Sequence, residues 1–478
     1  MDSETEYAHF VYRGLSYADM AHVLLLEKGG VIPEDAARTL LSALRELHDQ
    51  AERVIGDKGT WGDVYDHRDA ALQEMIGETA GWLHAARARR EAINLGWLIE
   101  CKQRAVSAIE AAGGLMEAVL ACSEAHGKSL MPDFTYLQHA HPTTLGHYLL
   151  GFAYPLFRDG IRLMDGWRSL DSSPAGSVST NGSRFDLDRS WMAEALGFSA
   201  VIPHNRDAMW QPDLSINIMG NLVSVATNLD RLIEELFIWS SSEFNFFESS
   251  DAHCRTSVIM PHKKNPYALA HLRGSCRLLT ADFVAITSSN QTISGQVDNR
   301  LAAYRLVPGA LGTIKATADL LGEIITEGRF NTEEMKARVG TGYGFATELA
   351  DLVMSGEGVP ARQAHRLVGS LVAALNQDAV RDLEEMEEYY EQSFRKVFSR
   401  PPVVPWGKYK KMLSPEEIVM HRVGEGSCHP EEVSRMVNEL RELWTKRMVE
   451  FSEEVESASF PSKLQEEVEN FLERKNKS

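Results

Sequence analysis

One short run, "RTSVIMPHKKNPYALAHLRG" at 255–274, holds the residue types that could do chemistry: Ser257, Lys263, Lys264 and Asn265. A serine hydroxyl is a weak base or nucleophile until it is activated. A lysine and an asparagine close by can grip a carboxylate and stabilise negative charge that builds on it. Together the set suits removal of a proton from a carbon beside a carboxylate. Taken alone, Lys-Lys-Asn-Pro is more often a basic solvated loop. Cys254 lies just upstream of Ser257 and could itself act as a nucleophile.

The elements that must position this set read as follows. Pro261 and Pro266 each lack a backbone donor and disfavour helix just before themselves, so the run is a loop between helices. Catalytic groups often sit on loops held by a rigid scaffold. Around it, helical periodicity dominates. Residues 33–50 open with a proline and acids, and then show Ala37, Leu40, Leu41, Leu44 and Leu47 on one face. Residues 67–125 lack proline and read as helices, with Leu95, Leu98, Ile99 and Ala105 as a stripe. The clearest case is 214–239, where Leu222, Val225, Leu229, Leu232, Ile233 and Leu236 recur at helical spacing; 304–326 is similar. Strand signals are poor. The polar stretch 171–184 is a long loop, a kind that is often functional in compact proteins. Its Asn-Gly-Ser at 181–183 is an idle sequon without a secretory signal. The charged last hundred residues read as a solvated helical face. Long apolar stripes are buried against each other, so the fold class is all-α, a long-helix bundle.

Bulk composition narrows the function. The chain has 478 residues, 44% hydrophobic and 24% charged, which is globular rather than disordered and long enough for two or three domains. A net charge of −19 argues against a general nucleic-acid binder. No run of 18 or more apolar residues is present, so no membrane span is expected. The acidic start "MDSETEYAHFVYRG" is no signal peptide. Cys101, Cys122, Cys254, Cys276 and Cys428 are scattered, and read as free thiols of a reducing, cytoplasmic compartment.

"TSVIMPHKKNP" resembles the signature of the fumarase/aspartase superfamily, Gly-Ser-Ser-x-Met-Pro-x-Lys-x-Asn-Pro. Ser257, Met260, Pro261, Lys263, Asn265 and Pro266 match, while Thr256 and Val258 depart. Two further stretches are similar to the argininosuccinate lyase branch, in the same order along the chain. "FTYLQHAHPTTLGHYLLG" at 134–151 resembles Thr-His-Leu-Gln-Arg-Ala-Gln-Pro-x-x-x-Gly-His. "GDVYDHRDAALQEMIGETAGWLHAARARREA" at 62–92 resembles Glu-Asp-Val-His followed by Leu-His-Thr-Gly-Arg-Ser-Arg-Asn-Asp. Weaker likeness continues to residue 433. The resemblance implies a three-domain all-α homotetramer, divided here at 1–88, 89–340 and 341–478, whose active sites draw on three subunits. It implies a small dicarboxylate substrate, cleavage or formation of a C–N or C–O bond beta to a carboxylate, and no metal or organic cofactor. It offers no nucleic-acid or membrane partner.

Residue by residue, the resemblance makes Ser257 the base. Lys263 and Asn265 hold the carboxylate where charge builds, with Met260 beside them. Thr135 and Gln138 come from the second stretch, and Arg89 lies against the fumarate half. The departures fall on the leaving-group side. Tyr136 replaces a histidine, and Ala270 replaces the acid that braces it. Tyr65 replaces another histidine, and Ala88 and Arg90 replace a serine and an asparagine. Gln296 opens "QVDNRL" where argininosuccinate lyases receive the guanidine. Arg90 beside Arg89 suits oxyanion recognition. His139 and His141 are structural or substrate-facing, and lack the spacing of a zinc site. The expectation is a carbon–nitrogen lyase that eliminates fumarate, or a similar acid, from an N-substituted succinate. A divergent argininosuccinate lyase and a non-catalytic member of the fold are the alternatives.

Overall fold

A computed structural model of the chain describes residues 7–56, 63–457 and 460–474. The first six residues of the acidic amino terminus, and Gly62 at the head of one motif, lie outside the described residues. The scaffold is a set of long helices: α1 (Ala8–Lys28), α2 (Arg89–Ala125), α3 (Leu145–Ser169), α4 (Asp213–Trp239), α5 (Tyr267–Ser289), α6 (Asp298–Glu327) and α7 (Pro430–Ser457). On α4 the sequence stripe is the buried face: Leu222, Val225, Leu229, Leu232, Ile233 and Leu236 are all closed to solvent. Each such side chain contributes about 1.5–3 kcal/mol, which is how a helix of this length becomes stable in water.

The proline-free stretch 67–125 is not one helix. It forms Val64–Ile76, then 3-10 turns over Gly77–His84, then α2. Gly77 has φ 56°, a left-handed conformation that ends the first helix. Helix α2 is 37 residues long and, by length and composition, apolar enough to cross a membrane. Here it is the central helix, packed by α1, α3, α6 and α7, with Ile93, Leu95, Leu98, Ile109 and Val119 in the core.

Strands are few, as expected; among the described residues the longest pair is a hairpin at 130–144. β1 (Leu130–Thr135) pairs antiparallel with β2 (Gln138–Thr144), irregular at Pro132, which has no donor to give the ladder. A smaller pair, β3 (Arg255–Thr256) with β4 (Lys264–Asn265), closes the loop singled out above.

The expected carboxy-terminal unit, 341–478, divides its apolar side chains between two cores. Tyr343, Leu349, Leu367, Tyr390 and Ile418 belong to a core of their own, whereas Val433, Leu440, Phe451 and Phe471 join the bundle core. The reason is local. Trp444 on α7 lies over Gly113 of α2 and Gly160 of α3, where a Cβ would come within 2.8 and 2.4 Å of its ring. Two glycines thus open the slot that docks α7 on the bundle.

Candidate active site

The Ser257 loop is a small hairpin built by its own polar groups. Arg255 faces Asn265 and Thr256 faces Lys264 across the strand pair. Ser257 N–H donates to the Lys263 carbonyl at 3.3 Å, and Asn265 Nδ2 donates to the Arg255 carbonyl at 3.0 Å. At the tip, Met260 N–H donates to Ser257 Oγ at 3.1 Å. Val258 and Ile259 are 100% and 83% exposed, so the tip stands clear of its own chain.

The two lysines have separate fates. Lys264 is tied to Glu248 at 3.2 Å and to Asp251 at 2.8 Å, and Glu248 is held in turn by Arg329 at 2.8 Å. Lys263 has no ion pair among the described residues and its side chain is exposed. Only Lys263 is therefore available to an incoming carboxylate. Lys263→Met should lower kcat/KM by roughly 30- to 150-fold, at about 2–3 kcal/mol for a charged hydrogen bond and its electrostatic share. Lys264→Met should change it by less than about threefold, since exposed ion pairs contribute roughly 0–1 kcal/mol. Steady-state kinetics on both variants checks the pair, and equal losses would contradict it.

Cys254, beside this loop, has its thiol pushed up by burial and directed at the Ser249 carbonyl, which keeps it protonated. Ala270, at the position of the bracing acid, is exposed on the first turn of α5.

The second stretch forms the β1–β2 hairpin tip. Thr135 pairs with Gln138, and Tyr136 and Leu137 between them have φ 55° and 58°. Two L-residues in the left-handed region cost about 1–2 kcal/mol each, a cost met by the ladder behind them. The turn drives Tyr136 outward, 98% exposed, with no hydrogen-bond partner among the described residues. The histidines here are held by protein. The His139 ring packs edge-on to Phe134 and under Gly342, and burial lowers its proton affinity. His141 Nε2 lies 3.1 Å from Thr347 Oγ1.

The third stretch is the start of α2. Asp63 and Asp66 form a capping box on helix Val64–Ile76. Asp66 then takes Arg89 Nη1 at 2.9 Å, with Asp63 at 3.8 Å from Nε. Arg89, expected against the fumarate half, is thus ion-paired within its own chain. Behind it, buried Asp19 joins Arg87 at 2.7 Å and Arg68 at 2.9 Å. Tyr65, in place of a histidine, reaches His84 Nδ1 at 3.1 Å, and His84 Nε2 reaches Asp69 at 2.9 Å. The sequence marked only the loss at Tyr65; the His84 of the Leu-His pair was the signal for its partner. Glu91 holds the 171–184 loop, accepting from Gly176 N at 2.6 Å and Val178 N at 2.7 Å. Val178 and Ser179 sit at φ 48° and 74°, so this loop is forced into place beside the α2 start. Gln296 is exposed in the turn between α5 and α6.

Thr135, Tyr136, Gln138, Ser257, Lys263 and Asn265 make no hydrogen bond or ion pair from one stretch to another among the described residues. Among the described residues, no three His, Cys, Asp or Glu side chains gather to hold a metal ion.

A lyase family model matches residues 20–279, and a model described as argininosuccinate lyase C-terminal matches 343–420. The argininosuccinate lyase of Methanoculleus marisnigri is 32% identical over 448 residues, covering 92% of this chain and 89% of that protein. That of Methanocorpusculum labreanum is 30% identical, covering 88% and 85%. Among solved structures, EDDS lyase in complex with formate superposes with a TM-score of 0.90 at 23% identity, covering 97% of this chain and 92% of its own. A class II fumarase from Schistosoma mansoni gives 0.71 at 13%, covering 86% and 90%. The long-helix bundle with its serine loop belongs to the fumarase/aspartase superfamily, in its argininosuccinate lyase-like branch, and the chain is a carbon–nitrogen lyase.

Proposed function

We propose that this lyase releases fumarate from an N-substituted aspartate, or adds an amine to fumarate in reverse, with a leaving amine other than arginine. Ser257 takes the proton from the carbon beside the carboxylate. The C–H electron pair moves onto that carboxylate, and Lys263 and Asn265 hold the resulting double negative charge. The C–N bond then breaks, and the amine departs with its electron pair and a proton donated from Tyr136. The observation that carries this reading is the tip geometry: the Met260 N–H points at Ser257 Oγ, where it favours an alkoxide, while Lys263 is left open beside it. Arg89, Arg90, Thr135, Gln138, Met260 and Gln296 bind the substrate in this reading. His141, bonded to Thr347, supports the hairpin.

A second reading, cleavage of argininosuccinate to arginine and fumarate, is favoured by the likeness to argininosuccinate lyases. A panel of amines with fumarate, followed by the loss of fumarate absorbance, separates the two. Consumption with a non-arginine amine supports the first. Activity with arginine alone establishes the second, and none with any amine removes both in favour of a non-catalytic role.

The active unit in this reading is a homotetramer with α4, α5 and α6 at its centre. Support comes from α5, whose outer face exposes Leu278 at 67% and Val284 at 56%. Exposed apolar side chains on a bundle helix suit a protein contact. Support also comes from Thr135, Tyr136, Gln138, Ser257, Lys263 and Asn265, which make no hydrogen bond or ion pair from one stretch to another among the described residues. Mixing inactive Arg89→Ala and Ser257→Ala chains should restore roughly a quarter of wild-type activity, since random assembly of a cyclic oligomer pairs the intact stretches in about that share of sites. An active monomer in light scattering, or no restoration, contradicts sharing. Five cysteines, all free, fit a cytoplasmic location.

A further inference from the structure

The hairpin that carries Tyr136 is bedded along its length on residues from 339 onward. At its base, Leu130 shares a small apolar cluster with Val339, Val419 and Cys428. Farther along β2, a Cβ at Gly344 would lie 3.3 Å from the Ala140 carbonyl oxygen and 3.3 Å from Pro142 Cδ. Toward the tip, His141 Nε2 meets Thr347 Oγ1 at 3.1 Å. A Cβ at Gly342 would fall 2.6 Å from His139 Nδ1 and 2.8 Å from His139 Cβ. Turning the ring cannot relieve contact so near the base of a side chain, so an added methyl would have to move β2 or the turn. Gly342 lies outside the left-handed region, and glycine serves there for room rather than for backbone freedom.

The turn that supplies these contacts is itself constrained. Tyr343, between the two glycines, stands at φ 53°, a cost that an L-residue bears only where its surroundings fix it. Its hydroxyl donates to the Val380 carbonyl at 3.0 Å. The Arg381 guanidinium lies 4.4 Å over its ring and donates to Asn376 Oδ1 at 3.1 Å. On its other side, the His139 ring meets Phe134 edge-on, and Phe134 packs on Phe244 at the bundle core. His139 is thus gripped between the bundle and the turn, three residues from Tyr136. We propose that the 342–347 turn positions Tyr136 for its proton transfer, acting through His139 and His141. The hairpin turn has only two residues, so a shift of β2 reaches the phenol with no slack to absorb it. A misplacement of about 1 Å can cost about 100-fold in rate.

The inference rests on the lyase reading with Tyr136 as donor, and the test keeps the two apart. Fumarate consumption by the full chain is followed with methylamine, glycine and arginine, and the fastest amine serves for every variant. Gly342→Ala is expected to slow turnover by about 100-fold. Trimming the partner as well, with His139→Ala, should recover about tenfold of that loss, because residues in contact do not add. In a Tyr136→Phe background the same glycine change should cost less than about threefold, since both then act on one lost step. A merely structural role would slow both backgrounds alike. Thr347→Val should cost about 3- to 10-fold, the range of one hydrogen bond, and again lose its effect beside Tyr136→Phe. That gentler variant decides the matter should Gly342→Ala fail to fold in circular dichroism melting. Native turnover in a folded Gly342→Ala, or equal losses with and without the Tyr136 hydroxyl, overturns the positioning role and spares the donor reading. No recovery on trimming His139 also overturns it. Native turnover in Tyr136→Phe overturns the donor reading and the inference with it, and so does a failure to consume fumarate with any of the amines.

Discussion

Ser257→Ala is expected to cut turnover by about 100- to 10,000-fold, the range for losing a positioned general base, while KM stays within a few-fold of wild type. The split follows from geometry. The hydroxyl accepts the Met260 N–H at 3.1 Å, and in the proposed mechanism it takes no part in the grip of Lys263 and Asn265 on the carboxylate. Removing it deletes the proton acceptor and leaves the binding groups. The hairpin itself should persist, because its strand pairing and the 3.0 Å bond from Asn265 to the Arg255 carbonyl do not use the serine side chain. Ser257→Thr keeps a hydroxyl and should retain more activity than alanine, provided the added methyl fits. Steady-state rates with single-turnover measurements distinguish this outcome. Near wild-type chemistry in the alanine variant would place the base elsewhere.

How much of this was legible in the sequence differs by element, for physical reasons. The α4 stripe was readable because one helix face meets one core, and the period survives in the residue order. The break of 67–125 into a helix, a 3-10 segment and α2 was not, because it turns on Gly77 at positive φ and on no proline. The β1–β2 hairpin was hidden by Pro132 and Pro142 inside its strands and by a turn that uses Tyr136 and Leu137 instead of glycine. At the site, Ser257, Lys263 and Asn265 were found together because a single local run carries them. What the run could not give was the difference between its lysines, which depends on Glu248 and Asp251 across the loop base and on Arg329 from beyond α6. The pairing of Arg89 with Asp66 is a tertiary fact of the same kind. A charged residue in sequence carries no sign of whether its counterion comes from the chain or from a ligand.

Tyr136→Phe keeps the ring and the turn, and removes one proton donor. If the phenol serves the departing amine, the rate should fall by roughly 100- to 1000-fold, since a donor used mainly in the transition state is worth about 2.7–4 kcal/mol. Two features favour that outcome. The turn holds Tyr136 and Leu137 in the left-handed region, which two non-glycine residues adopt only under constraint, and it presents the phenol to the outside of its own chain. A space-filling side chain would not need such a placement. The opposing consideration is acidity: an unperturbed phenol has a pKa of about 10 against about 6.5 for the imidazole that the family uses. Both an alkylamine and a guanidine have conjugate acids at or above the phenol's value, so a phenol can deliver its proton to either. The double change Tyr136→His with Ala270→Glu separates the possibilities. It rebuilds the imidazole and its bracing acid but leaves Gln296 and Arg90 in place, so argininosuccinate cleavage should stay undetectable. Gain of that activity, together with a Tyr136→Phe variant at the native rate, would make the chain a drifted argininosuccinate lyase. A slow phenylalanine variant with no argininosuccinate turnover in the double change would place the proton in Tyr136 and the selectivity outside the Tyr136–Ala270 pair.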